Sequence, residues 1–485
     1  MRTTRSATTR RFLHTFLITL VLNPTAPAAS KLNVLLITAD DLGPYLSCYG
    51  ETRFRTPHLD HLAASSVQFR VAYVTQASCS PSRSSIFTGM YVHSTGQWGL
   101  TNTGLTLHRY LREFTIPNLL KRAGYRTGII GKLHVAPEES FQFDFRPQLD
   151  TRRVRDVAAA VDQFLRETAG QPFFLMVNYS DPHAFRRPED PAQWFFPAQV
   201  DGLPDTPLLP SSQTLLAFQQ IDTPEQRQRT AGYFNAILRL DAGIGMLMRV
   251  LENHRHNDDT LIIFVGDHGP PFARGKTTVY ESGVRIPFLV RWPGVSGRFQ
   301  SDALVSTVDI LPTILDAVGL KIPAHVQGRS LRPVLQSRDA PWREYLCAEF
   351  HFHGSRPFFP RRAIRDHRYK LIHNLLAGRV NPSTGIDGDR AYQVSQSPQY
   401  AGTEIQRAFA TFANPPEFEL YDLEADPIEF HNLAGRPEYR TVEERLKRAL
   451  WRWRRETRDP FLDPGFLERV LELTRTGRLA ELAEP

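Results

Sequence analysis

Cysteine is scarce in this chain, with three thiols among 485 residues: Cys48, Cys79 and Cys347. So few cysteines exclude a disulfide-rich scaffold and any zinc site with four cysteine ligands, and they allow one disulfide at most. Glycine (30 residues) and proline (36 residues) show no period, which excludes collagen-like and low-complexity chains. The remaining composition, 41% hydrophobic and 22% charged, is that of a globular protein large enough for more than one ordinary domain.

Long apolar runs are also missing, except near the N-terminus. Residues 1–11 carry four arginines and no acid, residues 12–22 are mostly apolar, and small residues follow at 26–30. This order predicts a signal peptide over residues 1–28, with cleavage after Ala28; the alternative is an uncleaved membrane anchor. Loss of the four arginines would lower the net charge from +7 to +3. We therefore expect an exported protein, periplasmic or secreted (lysosomal in a eukaryote), with no nucleic-acid partner and no membrane attachment after cleavage.

The hydrophobic pattern predicts an α/β fold, because buried apolar runs alternate with amphipathic helices. The predicted strands of the first part are 33–39, 127–130, 172–179, 260–265 and 286–291. The predicted helices are 56–66, 116–123, 154–168, 229–252 and 305–318. The pattern changes near residues 336–341, after which short strands (362–365, 369–373 and 417–422) and one helix (442–455) are expected. Residues 375–415 lack periodicity and are expected to form a long, partly ordered loop. The domain prediction is thus a catalytic domain at 32–338 and an α+β subdomain with an antiparallel sheet at 339–485.

Acidic residues follow two of the predicted buried strands. Asp40 and Asp41 come directly after the first, and Asp267 and His268 follow the strand at 260–265. Ligands of open α/β sheets bind outside the carboxyl ends of the strands, so these two clusters can meet there. Carboxylate oxygens suit Ca²⁺ or Mg²⁺. The alternative is that each cluster is only a turn or a helix cap.

A pentapeptide, Cys79-Ser80-Pro81-Ser82-Arg83, places a cysteine near a predicted helix start with an arginine one turn later. Such a setting is electropositive and suits an anion, whereas a lone cysteine is more often a buried structural residue. The Cys-x-Pro-x-Arg spacing resembles the modification signature of the sulfatase family, in which the cysteine is oxidised to Cα-formylglycine. That resemblance implies an alkaline phosphatase-like fold with a large, mixed, mostly parallel sheet flanked by helices.

Further motifs resemble sulfatases in the same order, over roughly residues 32–460. They are Gly131-Lys132-Leu133-His134, Asp181-Pro182-His183, Gly266-Asp267-His268-Gly269, Gly275-Lys276, and the C-terminal stretch 418–423. An ordered set of this kind is far more specific than any single motif.

The resemblance implies a role for each matched residue. One Ca²⁺ would be held by Asp40, Asp41, Asp267, His268 and the modified Cys79. The catalytic set would be Cys79, Arg83, Lys132, His134, His183 and Lys276, with the three cations on the sulfuryl oxygens, His134 orienting the nucleophile and His183 protonating the leaving group. Many sulfatases have asparagine at the position of His268, and a neutral imidazole is a poorer Ca²⁺ ligand than an amide oxygen.

Within the family, residues 127–135, 143–145, 369–375 and 453–460 resemble the N-sulfoglucosamine sulfohydrolases, which act on heparan sulfate and heparin. This implies a sulfated glycan substrate and a formylglycine-generating maturase as partners. It also leaves open that the protein forms a homodimer. Candidate sugar-binding residues are His351, His353, Arg361 and Arg362, and the alternative is a solvated basic loop. Three other functions stay open. Two are enzymatic: an O-sulfatase on a carbohydrate or aryl ester, and a phosphonate monoester or phosphodiester hydrolase. The third is a non-catalytic glycan-binding protein.

Overall fold

One large and one smaller β-sheet organise the computed structural model, which describes residues 31–168, 170–186, 189–190, 193–197, 209–354 and 358–482. The expected signal peptide lies outside the described residues. The strands are β1 (Asn33–Ala39), β2 (Val67–Phe69), β3 (Ala72–Tyr73), β4 (Arg126–Gly131), β5 (Phe173–Tyr179), β6 (Phe185–Arg186), β7 (Trp194–Phe195), β8 (Thr260–Gly266), β9 (Phe288–Arg291), β10 (Phe299–Ser301), β11 (Val305–Ser306), β12 (Leu346–Phe350), β13 (Arg361–Arg365), β14 (Tyr369–Asn374) and β15 (Phe418–Asp422). The α-helices are α1 (Pro57–Ala64), α2 (Cys79–Thr88), α3 (Ile116–Arg122), α4 (Val154–Thr168), α5 (Pro224–Asn253), α6 (Glu281–Val284), α7 (Ile310–Ala317), α8 (Arg332–Gln336), α9 (Ala391–Ser395), α10 (Glu404–Ala413), α11 (Arg440–Glu456) and α12 (Pro464–Arg475).

The large sheet has the order β10-β2-β9-β8-β1-β5-β4. All its neighbouring pairs are parallel except the two that involve β9, so β9 alone runs against the other strands. The expected mixed, mostly parallel sheet is confirmed. Because β8, β1, β5 and β4 are adjacent and parallel, their carboxyl ends lie side by side at one edge of the sheet.

Both faces of this sheet are covered, which explains why its central strands are apolar throughout. Along β1, Val34 and Leu36 belong to the core on one face, while Leu35 and Ile37 belong to the core on the other. The first core also receives residues of α2 and α7, and the second receives residues of α4 and α5. Helices on both faces thus fix the position of the strand ends.

The second sheet is antiparallel, with the order β12-β13-β14-β15. It confirms the expected antiparallel C-terminal sheet, although the sequence pattern missed its first strand, β12. Helix α11 packs on this sheet through Leu446 and Leu450. The chain from Leu32 to Pro485 forms one compact unit, and the domain boundary near residue 338 stays a prediction.

Two element predictions were wrong in part. Of the helix expected at 305–318, only Ile310–Ala317 is α-helical, because Val305 and Ser306 pair with β3. The loop expected at 375–415 contains α9 and α10. Helix α10 begins where the Thr403 side chain accepts a hydrogen bond from the Gln406 N–H, and it buries Phe409. A ten-residue helix offers too few turns for its period to stand out in a polar segment.

The described part of the chain contains no helix long and apolar enough to cross a bilayer. All three cysteines lie in it as free thiols.

Candidate active site

Two acidic strand ends meet at the edge of the large sheet. Asp40 and Asp41 follow β1, and Asp267 follows its neighbour β8, with Ala39 opposite Gly266 in the register. The backbone N–H of Asp41 donates to Asp267 Oδ1 at 2.9 Å. All three carboxylates are buried, with at most 3% of each residue exposed. The sequence prediction that the two acidic clusters lie together therefore agrees with the described geometry.

Cys79 is the first residue of α2 and lies against this acidic cluster. Its Sγ is 3.3 Å from His268 Nε2 and 3.6 Å from Asp40 Oδ1. Every residue of α2 is buried, and serines at four positions keep the helix narrow enough to pack on all sides. The helix ends at Gly89, which adopts a left-handed conformation (φ 68°). The N-terminus of a buried helix favours a negative group beside Cys79.

The charges around the thiol change its acidity. Burial and the Asp40 carboxylate raise the pKa of Cys79, but Lys132, Lys276 and His268 outweigh them and hold it well below its ordinary value. A cysteine that is only structural would show the effect of burial alone, a raised pKa, as Cys347 does. The two thiols share burial and differ in their neighbours, so position 79 is a site that stabilises negative charge.

Three cationic side chains pair with the carboxylates of the cluster. Arg83, one turn along α2, contacts Asp267 Oδ2 through Nη2 at 3.1 Å. Lys132 follows β4, and its Nζ lies 2.7 Å from Asp40 Oδ2. Lys276 Nζ lies 3.0 Å from Asp41 Oδ1. The structure thus brings all three predicted cations to one place.

Asp387 also joins the site, and the sequence analysis missed it. Its Oδ2 accepts a hydrogen bond from Lys276 Nζ at 2.9 Å, so Lys276 lies between Asp41 and Asp387. Asp387 has φ 47° and is followed by Gly388 with φ 82°, which makes a tight turn. The Gly-Ile-Asp-Gly-Asp sequence at 385–389 indicates a turn but carries no sign of the partner that the turn reaches.

The donor set fits a divalent cation. Ligand atoms of Asp40, Asp41, Cys79 and His268 all lie within 4.8 Å of one another. Asp41 Oδ1 is buried, and its contact with Lys276 Nζ is an ion pair without hydrogen-bond geometry, so this oxygen accepts no hydrogen bond among the described residues. With His268 neutral, four carboxylates, counting Asp387, face three cations, an excess of negative charge that a divalent cation would offset. Accordingly, burial and the nearby Asp40 raise the pKa of Asp267 to about 8.

His268 lies inside this donor set. Its Nδ1 is 3.0 Å from the carbonyl oxygen of Gly269, which can only accept a hydrogen bond, so Nδ1 carries the proton. The other nitrogen, Nε2, lies 3.3 Å from Asp41 Oδ1 and faces the cluster. Burial lowers the pKa of His268, but Asp267, Cys79 and Asp41 together raise it to about 10. In its neutral form, the imidazole would present a lone pair to the metal position.

The two other predicted histidines are both half-buried beside the cluster. His134 follows β4 with φ 53°, and burial lowers its pKa. Its buried Nδ1 has no hydrogen-bond partner among the described residues, and the neighbouring Cys79 partly offsets the effect of burial on its pKa. His183 Nε2 lies 3.7 Å from Asp41 Oδ2, and 19% of its side chain is exposed. His134 is therefore placed to orient a group on residue 79, and His183 lies at the mouth of the site, where a leaving group would sit.

Of the predicted sugar-binding residues, His353 lies at the site. Its Nδ1 is 2.8 Å from Ser78 Oγ, the residue directly before Cys79. Burial and the charge of Lys276 lower the pKa of His353 to about 3, so this imidazole is neutral and offers hydrogen bonds rather than charge. Arg361 is buried, with its guanidinium 4.9 Å from the centre of the Phe359 ring.

His351 and Arg362 belong to a separate buried network. Both Arg362 nitrogens, Nε and Nη2, donate to Asp459 at 2.8 Å. His351 Nε2 lies 3.4 Å from Glu349 Oε2, and the same carboxylate oxygen is 2.7 Å from His93 Nδ1. All of these side chains are enclosed, so the structure assigns Arg362 and His351 to the packing of the C-terminal region, and we do not retain them as substrate ligands.

Comparison with known proteins identifies the family. The sulfatase family model matches residues 32–320, and the model for the C-terminal part of N-sulphoglucosamine sulphohydrolase matches residues 266–380. Human N-sulphoglucosamine sulphohydrolase is 33% identical over 473 residues, covering 90% of this chain and 93% of the relative. An ulvan-active sulfatase of Formosa agariphila is 29% identical, covering 89% of this chain and 82% of the relative.

Solved structures share the fold at lower identity. One, an enzyme in complex with its substrate D-glucosamine-2-N,6-O-disulfate, is 22% identical with a TM-score of 0.65, covering 88% of this chain and 98% of that one. The phosphonate monoester hydrolase of Agrobacterium radiobacter also has a TM-score of 0.65, at 19% identity, with 88% and 96% covered. These likenesses establish the alkaline phosphatase-like fold. By the family match and the human relative, the chain belongs to the sulfatase family.

Proposed function

We propose that this sulfatase removes the N-sulfate of glucosamine from fragments of heparan sulfate or heparin, with a formylglycine made from Cys79 as its nucleophile and one Ca²⁺ at the acidic cluster. The observation that carries the proposal is the position of Cys79: a buried thiol at a helix N-terminus, beside the acidic cluster and lowered in pKa by Lys132, Lys276 and His268. An exported location follows from the predicted signal peptide, and a formylglycine-generating maturase is the partner that the modification requires.

The cationic side chains supply the electrostatics of sulfuryl transfer. A sulfate or sulfamate brings one negative charge, and the leaving atom gains more as its bond to sulfur breaks. Arg83, Lys132 and Lys276 are fixed by carboxylates before any substrate arrives, so they need little reorganisation to stabilise that charge. A divalent cation, when bound by the cluster, would add Lewis-acid stabilisation of the sulfuryl oxygens.

A formylglycine at position 79 suits this site better than a thiol. When hydrated, the aldehyde supplies two hydroxyls on one carbon, one to attack sulfur and one to release sulfate without a separate water. His134 is placed to hold and orient a hydroxyl there, since it neighbours Cys79 and its buried Nδ1 has no hydrogen-bond partner among the described residues.

His183 is proposed to protonate the leaving nitrogen. Its Nδ1 lies 2.5 Å from the carbonyl oxygen of Ala184, so that nitrogen holds a proton and the ring is fixed in orientation. Nε2 then faces the site from the partly exposed side, near Asp41 Oδ2.

The choice between N-sulfate and O-sulfate rests on the relatives. The C-terminal model match and the human relative support an N-sulfate. An N-acetylglucosamine-6-O-sulfatase of Bacteroides thetaiotaomicron, at 24% identity, supports an O-sulfatase as the second candidate. The cluster around Cys79 serves either bond, so the core does not separate the two.

A small substrate panel tests the proposal. Purified enzyme would be given three sulfated compounds (N-sulfated glucosamine, glucosamine 6-O-sulfate and an aryl sulfate) and, separately, a phosphonate monoester, and the products would be identified. Release of sulfate from the first with little from the others is expected. Preference for the 6-O-sulfate or the aryl ester would replace the N-sulfatase proposal with an O-sulfatase, and hydrolysis of a phosphonate monoester in place of all three would overturn both.

A further inference from the structure

A second cavity lies apart from the active site, at the far end of the helix that begins with Cys79. It has a volume of about 950 Å³. Met90, two residues beyond the end of α2, is one of the residues that line it. A ten-residue helix is about 15 Å long, and the cavity shares no residue with the cluster around Cys79. A cavity of this size is large enough for a small oligosaccharide segment.

Aromatic rings form much of the wall and rim. Trp98 lies in the wall, 5.8 Å from Phe466 between ring centroids. At the rim, Tyr110 stacks on His108 at 5.9 Å and meets His325 edge-on at 6.3 Å. Tyr110 is 52% exposed, although large aromatic residues are usually covered. Exposed, pre-ordered rings offer flat apolar faces on which a pyranose can stack.

Polar groups of the same wall have unused hydrogen-bonding capacity. Trp98 Nε1, His108 Nδ1 and His325 Nε2 are buried and have no hydrogen-bond partner in the described chain. Buried polar atoms are normally paired, so three such atoms on the residues of one cavity are unusual. Burial lowers the pKa of both histidines, which keeps them neutral and able to accept or donate.

Two arginines give the cavity its charge preference. Arg458 and Arg469 line it, are exposed, and have no ion pair among the described residues. Of the acids in the wall, Glu481 is neutralised by Arg478 through hydrogen bonds of 2.5 and 2.9 Å, which leaves Glu456 as the one acid set against the two arginines. Free guanidinium groups bind planar or tetrahedral oxyanions with two parallel hydrogen bonds.

We propose that this cavity is a second binding site for an anionic saccharide, which holds a sulfated sugar of the glycan chain by stacking on Tyr110 and by ion pairing with Arg458 and Arg469. This second site rests on the proposed function and narrows its substrate class. An enzyme that binds a second part of its glycan favours oligosaccharides over monosaccharides.

Binding to the full chain with Cys79→Ala tests the site without turnover. The probe is a size-defined heparin tetrasaccharide, measured by calorimetry with N-sulfated glucosamine present in excess to fill the active site. The test variant carries Tyr110→Ala and Arg469→Ala, both at exposed positions. Its matched control is Arg155→Ala, an exposed arginine on α4, which packs on the opposite face of the large sheet.

We expect the test variant to bind the tetrasaccharide about tenfold more weakly, about 1.4 kcal/mol, with the control unchanged. A tetrasaccharide that is both desulfated and carboxyl-reduced, and so carries no negative charge, should bind weakly and respond to Tyr110→Ala but not to Arg469→Ala. In the otherwise wild-type enzyme, the test variant should keep its kcat/KM on the monosaccharide.

Equal tetrasaccharide affinity in variant and control would overturn the second site. Light scattering provides a second test. If the wild-type enzyme is a dimer and the test variant is a monomer, the cavity is a subunit contact and the proposed second site is overturned. The proposed function fails separately, when wild-type enzyme hydrolyses no sulfated monosaccharide while tetrasaccharide binding stays sensitive to Tyr110 and Arg469.

Discussion

Asp387→Asn removes the charge that holds Lys276 from the side opposite Asp41. The amide has nearly the same size and can still accept a hydrogen bond, so the change isolates charge from shape. At 2.9 Å, the attraction between Asp387 and Lys276 is about 6 kcal/mol for an effective dielectric constant of about 20. Desolvation of the buried groups offsets most of that, and Lys276 keeps its contact with Asp41, so we expect a net loss of about 1–3 kcal/mol in the free energy of unfolding.

The effect of Asp387→Asn on kcat distinguishes a role of Asp387 in positioning Lys276 from a purely structural role. With one of its two carboxylates gone, Lys276 is held less firmly, and we expect kcat to fall about tenfold, about 1.4 kcal/mol in the activation free energy. The site also becomes less negative, so KM for the sulfated sugar should stay the same or fall. The assay is steady-state kinetics at saturating Ca²⁺ on the best substrate of the panel, with urea unfolding in parallel.

Asp389→Asn is the matched control. Asp389 lies in the same turn, but its carboxylate accepts hydrogen bonds from Gln219, Gln226 and the N–H of Ala273 instead of from Lys276. We expect this control to lose stability while it keeps its kcat. If both variants lose stability and neither changes kcat, Asp387 only supports the turn, and the reasoning about Lys276 is refuted.

Three further predictions concern the metal site, the buried pair of Arg362 and Asp459, and the proton donor His183. Exhaustive chelation should abolish activity and lower the free energy of unfolding by about 2.7 kcal/mol relative to enzyme with Ca²⁺ at 100 times its Kd; metal-free enzyme with full activity and an unchanged Tm would contradict the metal site. Asp459→Asn should cost about 3–5 kcal/mol with KM unchanged, because it leaves Arg362 buried without its partner; a raised KM at full stability would return Arg362 to the substrate site. Burial raises the pKa of Asp459, but Arg362 holds it well below its ordinary value, so this stability difference should be complete above about pH 4 and shrink as the pH falls below that. His183→Ala should lower kcat strongly on N-sulfated glucosamine and far less on an aryl sulfate, whose leaving group needs no proton; equal losses would exclude a donor role.

Much of the fold could be predicted from local patterns. Strand β1 was predicted with its observed bounds, Asn33–Ala39, because a fully buried parallel strand is apolar throughout and ends sharply at acids. Helix α4 was likewise predicted with its observed bounds, Val154–Thr168. Strand β12 was missed, since its buried charge at Glu349 interrupts the apolar pattern and is explained by contacts with distant His93 and with His351.

The residues of the candidate site likewise fall into those that the sequence revealed and those that it did not. Residues on strand ends and in the Cys-x-Pro-x-Arg motif were found, because the chemistry and the spacing are local. Asp387 was missed, because its role comes from a contact with Lys276, 111 residues earlier in the chain. His351 and Arg362 were chosen for their residue types, and burial against Glu349 and Asp459 gives them a different role.

The central claim is that residue 79 acts as a modified cysteine, and its mass tests this most directly. Trypsin releases the peptide 71–83 from active enzyme. Formylglycine has lost the sulfur and two hydrogens of cysteine and gained one oxygen, so the account predicts a lighter peptide whose abundance follows specific activity. Cys79→Ala should lose nearly all activity and still fold. A fully active preparation in which residue 79 is only unmodified cysteine would contradict the account.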